Sequence, residues 1–314
     1  MTVFATSLNQ TALLLIFIIT GYILSRWKIV PENSPAVLAN LEKTILIPAL
    51  VLSTFLNSFT PQMLSEAAEL LLAGTVFVVI CIVFSFLCAR FLSKDPYERN
   101  VFAYGLIFPN YGYMGNAVVM AVFPQLFLEY ILFTLPLWIM TYVWGISALL
   151  LKDGSAKPTW KQRLKDFFSP MLISVLLGTL LSLLQIPVPQ FVKDAVTSAG
   201  DCVSPIAMLL SGMILAKFPL GQILGIKRVY LVTALRLIVF PGLFLLAMTV
   251  VPFPETIAIC AVCVLSMPLG MNTVIFPSAY GKDTRVASGM VLVSHVLSCL
   301  TIPVIFLLME SLLK

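Results

Sequence analysis

The chain has 314 residues, of which 60% are hydrophobic and only 11% charged, and its mean hydropathy is +1.03. Soluble domains ordinarily carry about 25% charged residues, so a soluble globular protein is excluded and an integral membrane protein is indicated. The net charge of +5 sits largely in short loops between apolar runs, and no nucleic-acid partner is inferred from it.

Crossing a hydrocarbon core about 30 Å thick takes about 20 mostly apolar residues in a helix. Only helices and closed barrels satisfy their backbone in lipid, and the alternating strand-length segments of a barrel are not seen. The fold class expected is therefore all-α, integral to the membrane, with ten spans. The first apolar run, about residues 7 to 26, follows MTVFATSLNQTALLLIF into the chain without a basic leader or a small-residue cleavage site, and is read as a retained helix. Runs follow at about 36 to 57, 66 to 89, 101 to 123 and 127 to 151. After the polar connection KDGSAKPTWKQRLKD come runs at about 168 to 187, 190 to 216, 228 to 251, 256 to 280 and 287 to 309.

Basic residues alternate between the resulting loops. Arg26 and Lys28 follow the first run, Arg90, Lys94 and Arg99 the third, and Lys152, Lys157, Lys161, Arg163 and Lys165 the fifth. Lys217, Lys227 and Arg228 follow the seventh, and Lys282 and Arg285 the ninth, so that 15 of the 19 basic residues fall on one side. The opposite loops and termini hold only Lys193 and Lys314, while Lys43 and Arg236 lie inside runs. Basic residues of short loops stay cytoplasmic, which predicts a multi-pass protein of the cell (inner) membrane with both termini outside. Cysteines 81, 88, 202, 260, 263 and 299 all lie within runs. Cys260 and Cys263 form a CxxC without a second pair or a neighbouring histidine, so packing is expected rather than a metal or redox site. No metal and no cofactor are called for.

The polar connection divides the chain into a first five-helix repeat over 1–151, a basic cytoplasmic linker over 152–167 and a second five-helix repeat over 168–314. An odd number of crossings per half inserts homologous halves in opposite orientations, the inverted-repeat plan of many secondary transporters. Residues match across the halves. ILIPALVLSTF (45–55) centres on Pro48 and CVSPIAMLLSG (202–212) on Pro205, each in the second run of its half. The fourth runs contain FPNYGYMGN (108–116), with Pro109, Asn110, Gly112, Gly115 and Asn116, and SMPLGMNTVIFP (266–277), with Pro268, Gly270, Asn272 and Pro277.

Proline removes a helical donor and clashes with the carbonyl four residues back, and glycine lets neighbouring backbone approach. The freed groups cannot face lipid. They are expected to face protein or a wet cavity, where half-helix N-termini favour an anion and asparagine amides both donate and accept. Asn110, Asn116 and Asn272 are accordingly candidate substrate ligands. Tyr111 and Tyr113 either line the cavity or pack, and a simple kink, well tolerated in membrane helices, is the alternative for either break alone.

These residues resemble the auxin efflux carrier family. The resemblance runs through LIPALVLSTF, PNYGYMGN, SPIAMLLSGMIL, MPLGMNTVIFPSAYG and VLVSHVLSCLTIP, over nearly the whole chain. It implies two inverted five-helix repeats whose broken fourth and ninth helices cross near the midplane. It also implies scaffold helices 1, 2, 6 and 7, transport helices 3–5 and 8–10, and organic anions, chiefly carboxylates, as substrates. Ala117 departs from the pattern, since many members have proline there, and the long central loop of plant members is missing.

Charges within spans cost about 2.5 to 3.5 kcal/mol on insertion scales, so each is a functional candidate. Asp201 lies about 16 Å along its helix at 1.5 Å per residue. It is a candidate for proton or cation coupling, or else caps a helix restarted near Pro205. Arg236 either pairs with a substrate carboxylate or snorkels. His295 either relays protons or packs with a hydrogen bond, and Glu42 with Lys43 reads as a snorkelling or structural pair.

The function expected is a secondary carrier that moves a small organic anion across the lipid bilayer by alternating access, driven by H⁺ or Na⁺, with a homodimer left open. A channel or a sensor built on a transport fold is the alternative. A membrane-embedded enzyme is not expected, because neither HExxH nor paired aspartates are present, and no GxxxxGK[ST] loop suggests an ATP-driven machine.

Overall fold

The computed structural model describes residues 3–151, 170–217, 221 and 224–313. The basic linker expected over 152–167 lies outside the described residues. The helices, in chain order, are α1 (Val3–Arg26), α2 (Ser34–Ser58), α3 (Ser65–Leu92), α4 (Pro96–Ile107), α5 (Asn116–Val122) and α6 (Pro124–Leu150). The second half has α7 (Pro170–Leu183), α8 (Gln190–Leu215), α9 (Lys227–Met248), α10 (Glu255–Ser266), α11 (Asn272–Ala279) and α12 (Arg285–Leu313). Seven of them (α1, α2, α3, α6, α8, α9 and α12) are long and apolar enough to cross a membrane, and α7 and α10 are shorter apolar helices. Their outer faces are greasy: along α3, Leu72, Val76, Val79, Val83 and Leu87 recur at helical spacing and are exposed.

Prolines set where these helices deform. Pro48 follows Thr44 by four residues, and Thr44 lies in the π-turn Glu42–Leu46 of α2. Pro205 follows Asp201 by four, and α8 is interrupted between Asp201 and Val203. Pro241 follows Leu237 by four, inside the π-turn Leu235–Val239 of α9. In each case the ring displaces the carbonyl one turn back, and the helix widens or breaks there.

Packing links α1 with α8, and α2 with α7 and α8; separately, α3 packs on α4 and α6, and α10 on α6, α9 and α12. Contacts of α1 with α5 and α12 join the two groups. The α1–α8 crossing is close because Gly21 faces the backbone of Leu209 and Gly212 faces the backbone of Ile18 and Tyr22, so that a Cβ at either glycine would overlap main chain.

Candidate functional site

The two interruptions meet. After α4 the chain leaves helical geometry at Phe108 and resumes in the π-turn Tyr111–Gly115 that leads into α5; between α10 and α11 it is non-helical from Met267 to Met271. Pro109 and Leu269 form an isolated antiparallel bridge, in which the Asn110 N–H donates to the Pro268 carbonyl at 2.8 Å. The Leu269 N–H donates to Ser294 Oγ at 3.1 Å. Gly270 allows this approach, since a Cβ there would strike the Phe108 carbonyl. Gly115 is packed for a similar reason, facing the Tyr130 hydroxyl, whereas Gly112 faces open space. The first break thus falls at Pro109, and Ala117 is an ordinary residue of α5.

Arg236 sits at the carbonyl ends of the two first halves. It is fully buried on the π-turn of α9, and its guanidinium donates to Met267 O (3.1 Å), Leu106 O (2.9 Å) and Val264 O (2.5 Å). One of these acceptors is an orphan of the breaks: Leu106 O would ordinarily take the Asn110 N–H, which goes to Pro268 instead. Val264 O misses the N–H that Pro268 lacks but accepts the Met267 N–H at 3.3 Å beside the guanidinium. Arg236 therefore neither snorkels nor lies among the residues that line the adjoining cavity; it cancels the negative ends of two half-helix dipoles.

On the other side of the meeting breaks lies a cavity of about 70 Å³, well above the roughly 10–15 Å³ needed to hold one water. Asn110, Tyr111, Gly112, Tyr113, Asn116 and Asn272 all line it, together with Thr134, Trp138 and Thr141 of α6 and Ile47 and Val51 of α2. Tyr111 Oη lies 3.2 Å from Thr141 Oγ1. The Thr141 hydroxyl donates to Leu137 O, so it accepts from the tyrosine. The Tyr111 carbonyl in turn accepts from Tyr130 Oη at 3.0 Å. Among the described residues, the side chains of Asn116 and Asn272 make no hydrogen bond to protein. The starts of the π-turn at Tyr111 and of α11 at Asn272 both border the cavity, and none of its lining residues is ionisable at neutral pH. The α6 residues carried no sequence signal, because threonine in an apolar helix ordinarily bonds its own backbone, as Thr134 and Thr141 also do.

His295 is buried and fully engaged. Its Nδ1 lies 2.7 Å from Val291 O, which can only accept, so Nδ1 carries the proton and Nε2 accepts from Asn110 Nδ2 at 2.8 Å. Here histidine fixes the orientation of the Asn110 amide. Asp201, exposed at the break in α8, does not line the first cavity but a second one. Its alternative role as a helix cap is not seen, since the segment restarting at Val203 has Cys202 at its cap position and no side-chain capping bond. Glu42 departs from the structural pair expected with Lys43: it is fully buried, and neither carboxyl oxygen has a hydrogen-bond partner among the described residues. The π-turn rotates Glu42 inward while Lys43 stays exposed.

Comparison with known families finds that the model described as "Membrane transport protein" matches this chain twice, over residues 6–160 and 159–306. Comparison with curated proteins finds no match.

Proposed function

The chain belongs to the membrane transport protein family, that of the auxin efflux carriers, and on that premise we propose that it is a secondary carrier moving a small organic carboxylate anion by alternating access. It is a multi-pass membrane transporter and not an enzyme. The finer reading is that α4 with α5, and α10 with α11, each form one interrupted crossing. This brings the count to ten, in two inverted five-helix repeats over 1–151 and 168–314, with both termini outside. Helices α1, α2, α7 and α8 then form the scaffold, and the remainder move as the transport body.

The observation that carries the anion assignment is the asymmetry of charge at the crossing. Four half-helix ends converge there. The carbonyl ends are neutralised by Arg236, while the amide ends at Tyr111 and Asn272 face a cavity without a counter-charge. A carboxylate placed among these N–H dipoles and the free amides of Asn116 and Asn272 gains charge-assisted hydrogen bonds, whereas a cation would meet the positive ends of both dipoles. Asn110 and Tyr111 complete the ligand set. Arg236 acts on the substrate at one remove, and Asp201 and His295 remain the ion-coupling candidates, with Asp201 favoured by its exposure to a cavity.

The assignment is tested by thermal unfolding of the purified protein against a panel of malate, malonate and indole acetate and their neutral amides. A carboxylate at 100 times its Kd is expected to stabilise by about 2.7 kcal/mol, and its amide far less. Equal stabilisation by acid and amide would contradict anion selectivity.

A further inference from the structure

The second cavity lies between α1, α2 and α8 on one side and α5 on the other, and has a volume of about 150 Å³. Its polar lining consists of Gln10 from α1, Asn116 from α5, and Asp201 and Ser204 from either side of the break in α8. Three features distinguish it. It contains one carboxylate and no basic side chain. Gln10 donates its amide N–H to the Ala117 carbonyl, which leaves its amide oxygen as an acceptor. Asn116 lines this cavity and also the crossover cavity.

We propose that this cavity is a binding site for a monovalent metal cation of the size of Na⁺, held by Asp201 with the neutral oxygens of Asn116, Gln10 and Ser204. One carboxylate among neutral oxygens balances a single positive charge. Ca²⁺ would demand six to eight oxygens, usually with several carboxylates, and Mg²⁺ a near-ideal octahedron; the lining residues supply neither, and the space suits a cation that keeps part of its water. Asp201 and Ser204 belong to α8 and Asn116 to α5, so the cation ties together elements from the two packing groups. Asn116 then connects the two sites: orienting its amide oxygen to the cation turns its N–H₂ toward the crossover cavity, where an anion accepts it. Cation and anion binding are thereby coupled, and by reciprocity each raises the affinity for the other by the same factor.

The role in coupling rests on the carrier reading, but the site does not, so the two are tested apart. In detergent without substrate, the melting temperature is expected to rise saturably with NaCl over choline chloride at matched ionic strength. The rise should be lost in Asp201→Asn and reduced in Ser204→Ala, while Glu310→Gln, far from the cavity in sequence and near the end of α12, serves as the charge-matched control. A Na⁺ response absent from the wild type, or intact in Asp201→Asn, overturns the site. In proteoliposomes, Na⁺ should increase labelled-anion uptake at least tenfold over choline in the wild type and less than twofold in Asp201→Asn. Uptake that responds to a proton gradient and ignores Na⁺ overturns the coupling, and counterflow absent under all ions overturns the carrier reading while leaving the detergent result standing.

Discussion

Arg236→Ala is expected to destabilise the protein by about 3 to 5 kcal/mol, because three buried carbonyls lose charged donors at once. Hydrogen bonds to charged groups contribute about 1.5 to 3 kcal/mol each, and a buried acceptor left unsatisfied costs about 1 to 3 kcal/mol. Lysine is no substitute: its ammonium keeps the charge but cannot present a planar fork to Leu106, Val264 and Met267 together, so Arg236→Lys should fall between wild type and alanine. Thermal unfolding of the three proteins in one detergent checks the order. An alanine variant within about 0.5 kcal/mol of wild type, the scatter of ordinary surface substitutions, would mean that the breaks are satisfied by other groups.

Asn272→Ala and Asn110→Ala are expected to weaken substrate binding at least tenfold, about 1.4 kcal/mol each, while both proteins stay folded. The Asn272 amide lines the cavity beside the two breaks without a protein partner among the described residues, so its removal takes nothing from the folded state and all of its effect falls on the ligand. Asn110 differs in that its Nδ2 is held by His295. Alanine there also leaves the imidazole acceptor unpaired, and a stability loss of about 1 to 3 kcal/mol should accompany the weaker binding. Binding isotherms and melting curves on the same preparations separate the two effects. Wild-type affinity in both variants would remove the crossing from the substrate path.

That both apolar runs are interrupted was legible in the sequence because proline and glycine act locally. Pro109 and Pro268, with Asn110 and Asn272, pointed to the two interruptions, while the point at which the first run breaks was not fixed by them; the helix ends at Ile107. Ala117 drew attention as a missing proline, yet α5 runs through it undisturbed, since Pro109 had already ended α4. What the sequence could not reveal depends on which elements meet. Arg236 lies 130 positions from one of its acceptors, and nothing local distinguishes a snorkelling arginine from one folded back onto the carbonyl ends of other helices. The partnership of His295 with Asn110, 185 positions apart, is hidden in the same way. Asp201 was visible as a charge in a span, but its separate cavity follows only from the approach of α1 and α5 to the break in α8. Glu42 shows the opposite limit: one π-turn, caused by Pro48, moved it from an expected surface pair to the interior.

A carrier whose substrate sits where the two interrupted helices meet should show counterflow in proteoliposomes. Vesicles loaded with unlabelled malate, malonate or indole acetate are diluted into a trace of the same labelled compound. A saturable overshoot of label is expected with at least one of these anions in the wild type, reduced at least tenfold in the Asn110→Ala, Asn272→Ala double variant. No overshoot with any of them from protein shown to be folded, or an equal overshoot in the double variant, would rule out substrate binding at the two breaks.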